Sequence, residues 1–592
     1  MRSPQRSGAT SRTPPSHRCS RAYGALVAAL LLAVALVPLW SVDIPPLTDY
    51  PNHLARQYIL ANLPQSDHLQ TFYQAEWRAS PYLAMDAIVQ GLARLVSVGT
   101  AGRIFLSLMF LLVAFAPLAL NLALLGRVTP IALLGLLTIH NETLSLGFVN
   151  YLFSVGFALC LLGLWIRFRE GRPWVRLLVL PTLSSLLFFS HLIGFGIYAL
   201  TVGAYEFGRH VELVRGRTPP APLSWNPAQR AILVSLGLQF LIPLGIFALF
   251  GPSATVVSQN THGGIGRKLD LLLGVFSYLV PPYFWTLDRI LVIALPATLL
   301  LLAAMRRLAI AKHMAWPLLA ILLLFFAMPY ELFGGFGADH RLLPAIGLLL
   351  AGSLTWRTTR NDRQRGGAGT GPRLGDVTPA DVGRALIGSL HTGSRVPEVE
   401  PPERTGLARA PAWTHHVHLV RALALGLIVV LVVLRTAAVT AEWRGADREY
   451  ADYVRAFGSL TDGSRVYYGF GFAGSAIHGH RPKYFVPCLA LATKQVYLPY
   501  LFTSAGNPGI ILKYTPEYEP LQRLSPGPTL ANRQSPNWSA ILGTFDYFLL
   551  GGERFFDTPV PPQLVPVYRG SDFTLYRNSA AGMKASGSRA GR

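Results

Sequence analysis

Ionisable side chains interrupt the long apolar segments of this chain, and several stand where they could do chemistry. In the segment SVDIPPLTDYPNHLARQYIL (41–60), two prolines end one helix and Pro51 suits the first turn of the next. Asp49 then lies at or just before the start of the new helix, where the helix dipole and free amides favour its carboxylate form. An ionised carboxylate is what a general base or a metal ligand requires, so Asp49 is a candidate catalytic group.

The same segment supplies three candidate substrate-binding residues, Asp43, His53 and Arg56. His53 and Arg56 follow Asp49 by four and seven residues, and this spacing puts them on the same helical face. The alternative is that Asp49 only caps the helix and that Arg56 contacts lipid headgroups.

Two histidines and a glutamate mark other breaks between apolar segments. His140 and Glu142 lie in the segment HNETLSLGFVNY, where Glu142 is a second candidate catalytic carboxylate and His140 a candidate substrate contact. With Asp49 they could hold a divalent cation, although residues on separate helices show no ligand spacing. The alternative for Glu142 is a polar helix connection that faces headgroups. His191, in the segment FFSHLIGF, could contact substrate or simply cap a helix break.

Basic residues provide candidate contacts for phosphate. In GADHRLLPAIGLLL (337–350), His340 and Arg341 open an apolar segment. A guanidinium makes bidentate, permanently charged contacts to phosphate oxygens, whereas an arginine that snorkels to the interface is the alternative. Arg267 and Lys268 could bind phosphate in the same way.

The segments that must position these residues are membrane-spanning helices. The chain is 51% apolar and 14% charged, with a mean hydropathy of +0.37, which excludes a typical soluble globule. A span needs about 20 mostly apolar residues. That length predicts about eleven spans, of which the third, fifth and sixth could instead belong to tilted helices or re-entrant pairs. The predicted spans are approximately 23–42, 102–125, 128–146, 147–166, 174–190, 191–208, 230–250, 288–305, 314–330, 341–357 and 416–439.

Basic loops predict the orientation of the chain. The N-terminal leader carries five arginines and no acidic residue, and arginine also occupies every alternate loop as far as residue 312. Lys and Arg accumulate on the cytoplasmic side, so the N-terminus is predicted inside and the candidate residues at the extracytoplasmic surface. The formal charge of +22 therefore indicates topology in the plasma (inner) membrane, with membrane lipids as partners and no nucleic acid.

The C-terminal part changes character after the last predicted span. Short runs such as SRVYYGF, FDYFLL and DFTLYR are typical of strands, and residues 442–457 are typical of a helix. The predicted organisation is a basic cytoplasmic leader (1–22), a transmembrane core (23–357) with its first outer loop (43–101), a disordered cytoplasmic linker (358–414) and a last transmembrane helix (415–439). A small extracytoplasmic α/β domain (440–578) and a disordered tail (579–592) follow.

Taken together, these features resemble the GT-C superfamily of polyprenyl-phosphate-sugar-dependent glycosyltransferases. The segment TDYPNHLARQYIL (48–60) looks like the superfamily's first-loop motif, in which an acid precedes a helix with an alanine and a basic residue. The resemblance implies that Asp49 is the catalytic acidic residue and that Arg341 holds the lipid phosphate. Many members have two adjacent acids, whereas Tyr50 follows Asp49 here, so the cofactor requirement stays unknown and a divalent cation stays open.

The function that the resemblance implies is sugar transfer with inversion at the extracytoplasmic face. The donor would be a polyprenyl-phosphate sugar and the acceptor a hydroxyl group of a glycan or lipid. A lipid or solute transporter is an alternative, because many spans with polar groups would also serve translocation. A non-catalytic membrane assembly subunit is a third reading.

Overall fold

The computed structural model describes residues 15–77, 81–215, 227–250, 264–273, 282–332, 335–357, 412–470, 483–502, 512–524, 537–551 and 559–580. The chain divides into two compact units. One comprises residues 1–35 and 358–434, and the other comprises residues 36–357 and 435–592. Most of the predicted linker, residues 358–411, and most of the predicted tail, residues 581–592, lie outside the described residues.

Long helices make up most of the described chain, and their ends follow from local sequence. The helix Val98–Leu125 begins where the hydroxyl of Ser97 accepts a hydrogen bond from the Thr100 amide, and it ends at Gly126 in the left-handed region (φ 67°). Both ends are standard caps. The α-helices among the described residues of the first 357 positions are α1 (Pro15–Trp40), α2 (Tyr50–Asn62), α3 (Asp67–Phe72), α4 (Ala84–Leu92), α5 (Val98–Leu125), α6 (Glu142–Ser145), α7 (Val149–Phe168), α8 (Leu180–Ser190), α9 (Leu192–Arg215), α10 (Pro227–Phe250), α11 (Ile265–Leu273), α12 (Pro282–Ala304), α13 (Ala315–Ala327) and α14 (Leu342–Ser353).

Four helices in the described residues are long and apolar enough to cross a membrane, within α5, α7, α10 and the later helix α15 (Ala412–Phe457). Shorter apolar helices lie at most of the other predicted spans. The protein is therefore a mostly helical membrane protein, and the count of eleven spans stays a prediction.

The predicted third span, residues 128–146, is wrong as a single helix. A 3-10 helix covers Pro130–Thr138, and the four-residue α6 follows it. The Asn141 side chain accepts a hydrogen bond from the Leu144 amide, which starts α6 as a new helix. Gly135 lies so close to Pro117 of α5 that a Cβ there would be 2.5 Å from the proline ring. This contact and the cap replace a continuous span with a break.

The C-terminal part contains a four-stranded sheet in the order β6 (Val466–Phe470), β8 (Tyr547–Gly551), β10 (Phe573–Asn578) and β9 (Leu564–Arg569). Strands β6 and β8 are parallel, and the other pairs are antiparallel. Every residue of β6 and β8 is buried, which explains why both sequences are nearly continuous apolar runs. The predicted helix 442–457 forms the end of α15, and the described residues of this part also contain two short helices, α16 (Ala490–Lys494) and α17 (Trp538–Leu542).

The first loop and the C-terminal part are joined by a short antiparallel ladder. Strand β1 (Tyr73–Ala75) pairs with β7 (Leu512–Tyr514), so that Tyr73 is opposite Tyr514. Small two-stranded ladders also join β2 (Leu308–Ile310) to β5 (Leu354–Trp356) and β3 (Glu331–Leu332) to β4 (Gly335–Phe336). A separate C-terminal domain stays a prediction, because residues 435–592 belong to the same compact unit as residues 36–357.

Helices α5 and α7 pack closely at Gly156, where an added Cβ would lie 2.9 Å from the backbone of Leu112 and Val113. We expect Gly156→Ala to lower the free energy of unfolding by about 1–3 kcal/mol, because backbone atoms would have to move apart. Gly203→Ala on α9 is the matched control, since nothing lies within 4 Å of its Cβ position. Thermal unfolding in detergent checks both variants, and equal midpoints for wild type and Gly156→Ala would contradict the close packing.

Candidate active site

A cavity of about 660 Å³ lies among α2, α9, α13, the start of α14 and residues 485–502. Five of the candidate residues line it, namely Asp49, His53, Arg56, His191 and Arg341. They come from three separate parts of the sequence. The rest of the lining includes Tyr82, Phe148, Asn150, Tyr151, Phe195, Ile197, Leu324, Met328, Phe485, Tyr500 and Phe502.

Asp49 is held in place by backbone contacts with the segment after α6. Its amide donates to the carbonyl of Leu146 (3.1 Å), and the Thr48 amide donates to the carbonyl of Ser145 (2.9 Å). Gly147 has a φ of +87°, and a Cβ there would be 2.8 Å from the Asp49 Cβ. Only glycine allows this approach, so the carboxylate position depends on the Gly147 backbone.

The expectation that the helix start keeps Asp49 ionised is wrong. Its side chain makes no capping hydrogen bond with α2. Burial raises the pKa of the carboxyl group to about 7, and the nearby Arg341 guanidinium opposes this increase. Desolvation penalises the charged form of Asp49 more than the Arg341 charge favours it. Near pH 7, Asp49 is therefore divided between acid and carboxylate.

His53 and Arg56 also face the cavity from α2, as their spacing from Asp49 predicts. The His53 ring lies 5.0 Å from the Phe502 ring, and burial followed by the Arg56 charge lowers its pKa to about 3. His53 is therefore uncharged at neutral pH. Arg56 donates to the Asp86 carboxylate at 2.5 Å, so its charge is already compensated within the protein.

Asp86, on α4, anchors a buried network behind the cavity. Its second oxygen accepts from the Gln57 amide at 2.5 Å, and Gln90 donates to Gln57 at 2.8 Å. Both Asp86 and Arg56 are almost fully buried. A buried ion pair of this kind needs additional hydrogen bonds, which Gln57 supplies.

Arg341 lies at the start of α14, and its guanidinium carbon is 4.4 Å from the centre of the Phe148 ring. The Arg341 Nε has no hydrogen-bond partner in the described part of the chain. Among the described residues that line the cavity, Asp49 is the single carboxylate. The cavity therefore combines the Asp49 carboxyl group, whose pKa is about 7, with a guanidinium whose hydrogen-bonding capacity is not fully used.

His191 both ends a helix and lines the cavity. It is the C-terminal cap of α8, and its Nδ1 accepts from the Ile193 amide at the start of α9 (3.1 Å). Its ring packs edge-on against Tyr82 at 4.5 Å and Tyr151 at 5.4 Å. A helix break therefore places an aromatic polar side chain in the wall.

Three other candidates do not line the cavity. Asp43 is exposed, and its amide donates to the Asp447 carboxylate. His140 is buried between the rings of Phe110 and Trp443, 5.6 Å and 6.5 Å away, and its carbonyl accepts from Arg435. Glu142 contacts His340 at 2.7 Å.

Arg267 and Lys268 do not line the cavity either, and they pair with a carboxylate two residues before Arg341 in the chain. Arg267 and Lys268 lie on α11 and pair with Asp339 at 2.7 Å and 2.8 Å. Burial raises the pKa of Asp339, but the hydrogen bonds from Lys268 and Arg267 outweigh it and the pKa is lowered. These two cations are thus occupied by an ionised carboxylate.

Several lining residues were not singled out from sequence. Tyr82 has a φ of 79°, which is rare for a tyrosine, and its carbonyl accepts from the Asn150 amide. The side-chain oxygen of Asn150 accepts from the Met85 amide at 2.9 Å, which fixes this turn. Asn52 fixes another part of the wall, because its side chain hydrogen-bonds to the backbone of Tyr500 and Phe502. The polar Asn150 inside an apolar segment was the one available signal.

The described residues contain no group of three or more His, Cys, Asp or Glu side chains placed to hold a metal ion. Asp49 faces the cavity, Glu142 contacts His340 and His140 is enclosed by aromatic rings. The geometry therefore adds no support to a divalent-ion site made by these three residues.

We expect Asp86→Ala to lower the free energy of unfolding by about 3–5 kcal/mol, because it leaves the Arg56 charge buried without its carboxylate. Glu76→Ala removes the carboxylate from a more exposed pair with Lys513 and should change stability by about 1 kcal/mol or less. Denaturation of both purified variants measures the difference. Equal, small losses would show that Arg56 finds compensation elsewhere.

The fold is similar to two crystal structures of ArnT from Cupriavidus metallidurans, one bound to undecaprenyl phosphate and one in the apo state. Each comparison covers 95% of this chain and 99% of ArnT at 13% sequence identity, with TM-scores of 0.50 and 0.47. No protein-family model and no curated protein matches the chain. The fold that the resemblance implied is thus confirmed, because this chain has an ArnT-like fold.

Proposed function

We propose that this protein is a membrane glycosyltransferase that moves a sugar from a polyprenyl-phosphate donor to a hydroxyl group of a glycan or lipid. The observation that carries the proposal is the shared cavity of Asp49 and Arg341. A general base and a phosphate-binding cation, 292 positions apart in the sequence (341 − 49), face the same space. Such a pair is what sugar transfer from a phosphate leaving group requires.

The cavity walls suit a lipid-linked donor. Apolar side chains from α9 and from the end of α13 and the residue after it, namely Ile197, Leu324 and Met328, line the cavity and could contact a polyprenyl chain. Arg341 can use its remaining donors on the phosphate oxygens. The ArnT structure with undecaprenyl phosphate supports the same class of lipid for this fold.

In the proposed reaction, the acceptor hydroxyl oxygen attacks the anomeric carbon of the donor sugar. The bond between that carbon and the phosphate oxygen breaks, and its electron pair leaves with polyprenyl phosphate. Asp49 takes the hydroxyl proton, for which a pKa of about 7 is well matched at neutral pH. Arg341 stabilises the charge that develops on the leaving phosphate. Attack opposite the leaving group inverts the anomeric centre.

The acceptor would bind against the aromatic side chains of Phe485, Tyr500 and Phe502, which line the cavity. Aromatic faces pack well against the apolar faces of sugar rings, and Asn52 fixes the backbone of two of these residues.

The basic alternate loops favour an N-terminus in the cytoplasm, which supports a site on the extracytoplasmic face of the plasma (inner) membrane.

Asp49→Asn tests the proposed base. We expect transfer to fall by about 10²–10⁴-fold, because the amide cannot accept the proton. The full chain would be reconstituted in proteoliposomes with a panel of polyprenyl-phosphate sugars, and released polyprenyl phosphate would be quantified. Asp43→Asn is the matched control, since Asp43 is exposed and does not line the cavity. Full activity in a well-expressed Asp49→Asn variant would reject the assignment.

The pH dependence of kcat/KM should follow the ionisation of Asp49. Only the carboxylate form is active as a base, so the rate should rise with pH through about 7 and then level. Arg341 lowers the pKa of Asp49, so the midpoint should move to higher pH in the residual activity of Arg341→Gln. If Arg341→Gln leaves the midpoint unchanged, then Arg341 does not influence the group whose ionisation sets the pH profile.

A further inference from the structure

One short segment, residues 142–148, contacts both Asp49 and the residues next to Arg341. On one side, the carbonyls of Ser145 and Leu146 accept from the amides of Thr48 and Asp49. On the other side, the Glu142 carboxylate lies 2.7 Å from His340 Nε2. His340 immediately precedes Arg341 in the chain.

The same segment also touches the Arg341 side chain. The Phe148 ring lies 4.4 Å from the guanidinium carbon. A guanidinium over an aromatic face is attracted by it, so this contact favours one orientation of Arg341. Residues 142–148 therefore meet Asp49 through the backbone, and they meet the region of Arg341 through two side chains.

The segment is held by its own hydrogen bonds. Asn141 caps α6 by accepting from the Leu144 amide at 2.9 Å, and the Phe148 amide donates to the Thr143 carbonyl at 3.2 Å. Gly147 adopts a φ of +87°, and its backbone lies against Asp49. Such a closed turn can fix the position of one of its ends relative to the other.

The residues before Arg341 are tied down from the other direction as well. Asp339 is completely buried and pairs with Lys268 and Arg267, while its second oxygen accepts from the His340 amide. The backbone at 339–341 is therefore fixed to α11 by one carboxylate. The Glu142 contact fixes it to residues 142–148.

We propose that the hydrogen bond between Glu142 and His340 is a positioning device that sets the separation of the Asp49 carboxylate and the Arg341 guanidinium. This inference rests on the proposed function of the cavity and gives Glu142 and His340 an indirect role. Glu142 and His340 do not line the cavity. Asp49 and Arg341, which they would position, do line it. A shift of about 1 Å in such a constellation can lower a rate by about 10²-fold.

Glu142→Ala and Glu142→Gln separate positioning from proton transfer. Glutamine keeps an oxygen that can accept from His340, so Glu142→Gln should retain at least about half of kcat, whereas Glu142→Ala should lose about 10–100-fold. The KM for the donor should change by less than about threefold in both. A catalytic acid or base would instead make the Gln and Ala variants equally poor.

Two further variants complete the test. Glu142→Ala/His340→Ala should be no slower than Glu142→Ala, because each change removes the same contact. Glu212→Ala is the matched control, since Glu212 contacts His313 at 3.2 Å away from the cavity and its loss should leave kcat unchanged. Additive losses in the double variant would overturn the proposal.

A measurement that does not depend on sugar transfer distinguishes this inference from the proposed function. In the full chain carrying Asp49→Cys and Arg341→Cys, a short bifunctional thiol reagent should join the two sites. Adding Glu142→Ala should lower the cross-linking yield severalfold, and adding Glu212→Ala should not. An unchanged yield with Glu142→Ala overturns the positioning role. A lowered yield, together with no sugar transfer by the wild-type chain, retains the positioning role and rejects the proposed function.

Discussion

The desolvation of charge is the constraint on which the site depends. Taking a carboxylate or a guanidinium out of water is expensive unless a partner is close. The buried charges around the cavity follow this rule, because Arg56 pairs with Asp86 and Asp339 pairs with Lys268. Asp49 differs, since its pKa is raised by burial and Arg341 only partly opposes that change. A ligand that brings both a hydroxyl and a phosphate would supply the missing interactions.

The cavity depends on contacts between distant parts of the chain. The start of α2 is held by the turn after α6, while Asn52 on α2 holds residues 500 and 502. The pairing of β1 with β7 joins the same two regions. Membrane helices supply the apolar wall, and the connections between helices supply the polar groups. The apolar wall and the polar groups of the cavity thus meet where these two kinds of structure join.

Sequence patterns predicted what lies within one element. Prolines and helix periodicity located the start of α2 and put Asp49, His53 and Arg56 on one wall, and the strand patterns located β6, β8 and β10. The contact of Glu142 with His340 joins residues 198 positions apart, and no periodicity reports such a pair. The raised pKa of Asp49 escapes prediction for the same reason, because Leu146 and Gly147, which lie against Asp49, come from a distant segment. The break at residues 128–146 depends on a close contact with α5 that hydropathy does not record.

The opposition between Arg341 and burial has a consequence for the order of events in the proposed reaction. Without donor, Arg341 stabilises the Asp49 carboxylate and keeps it a weaker base. A donor phosphate bound to Arg341 would compensate the guanidinium charge and bring a second negative charge near Asp49. Both effects raise the pKa of Asp49 and so increase its affinity for the acceptor proton. In the proposed reaction, the bound donor would thus make the Asp49 carboxylate a stronger base and would lower the fraction of Asp49 that is ionised at neutral pH, so the pH dependence of the donor complex should lie at higher pH than that of the free protein.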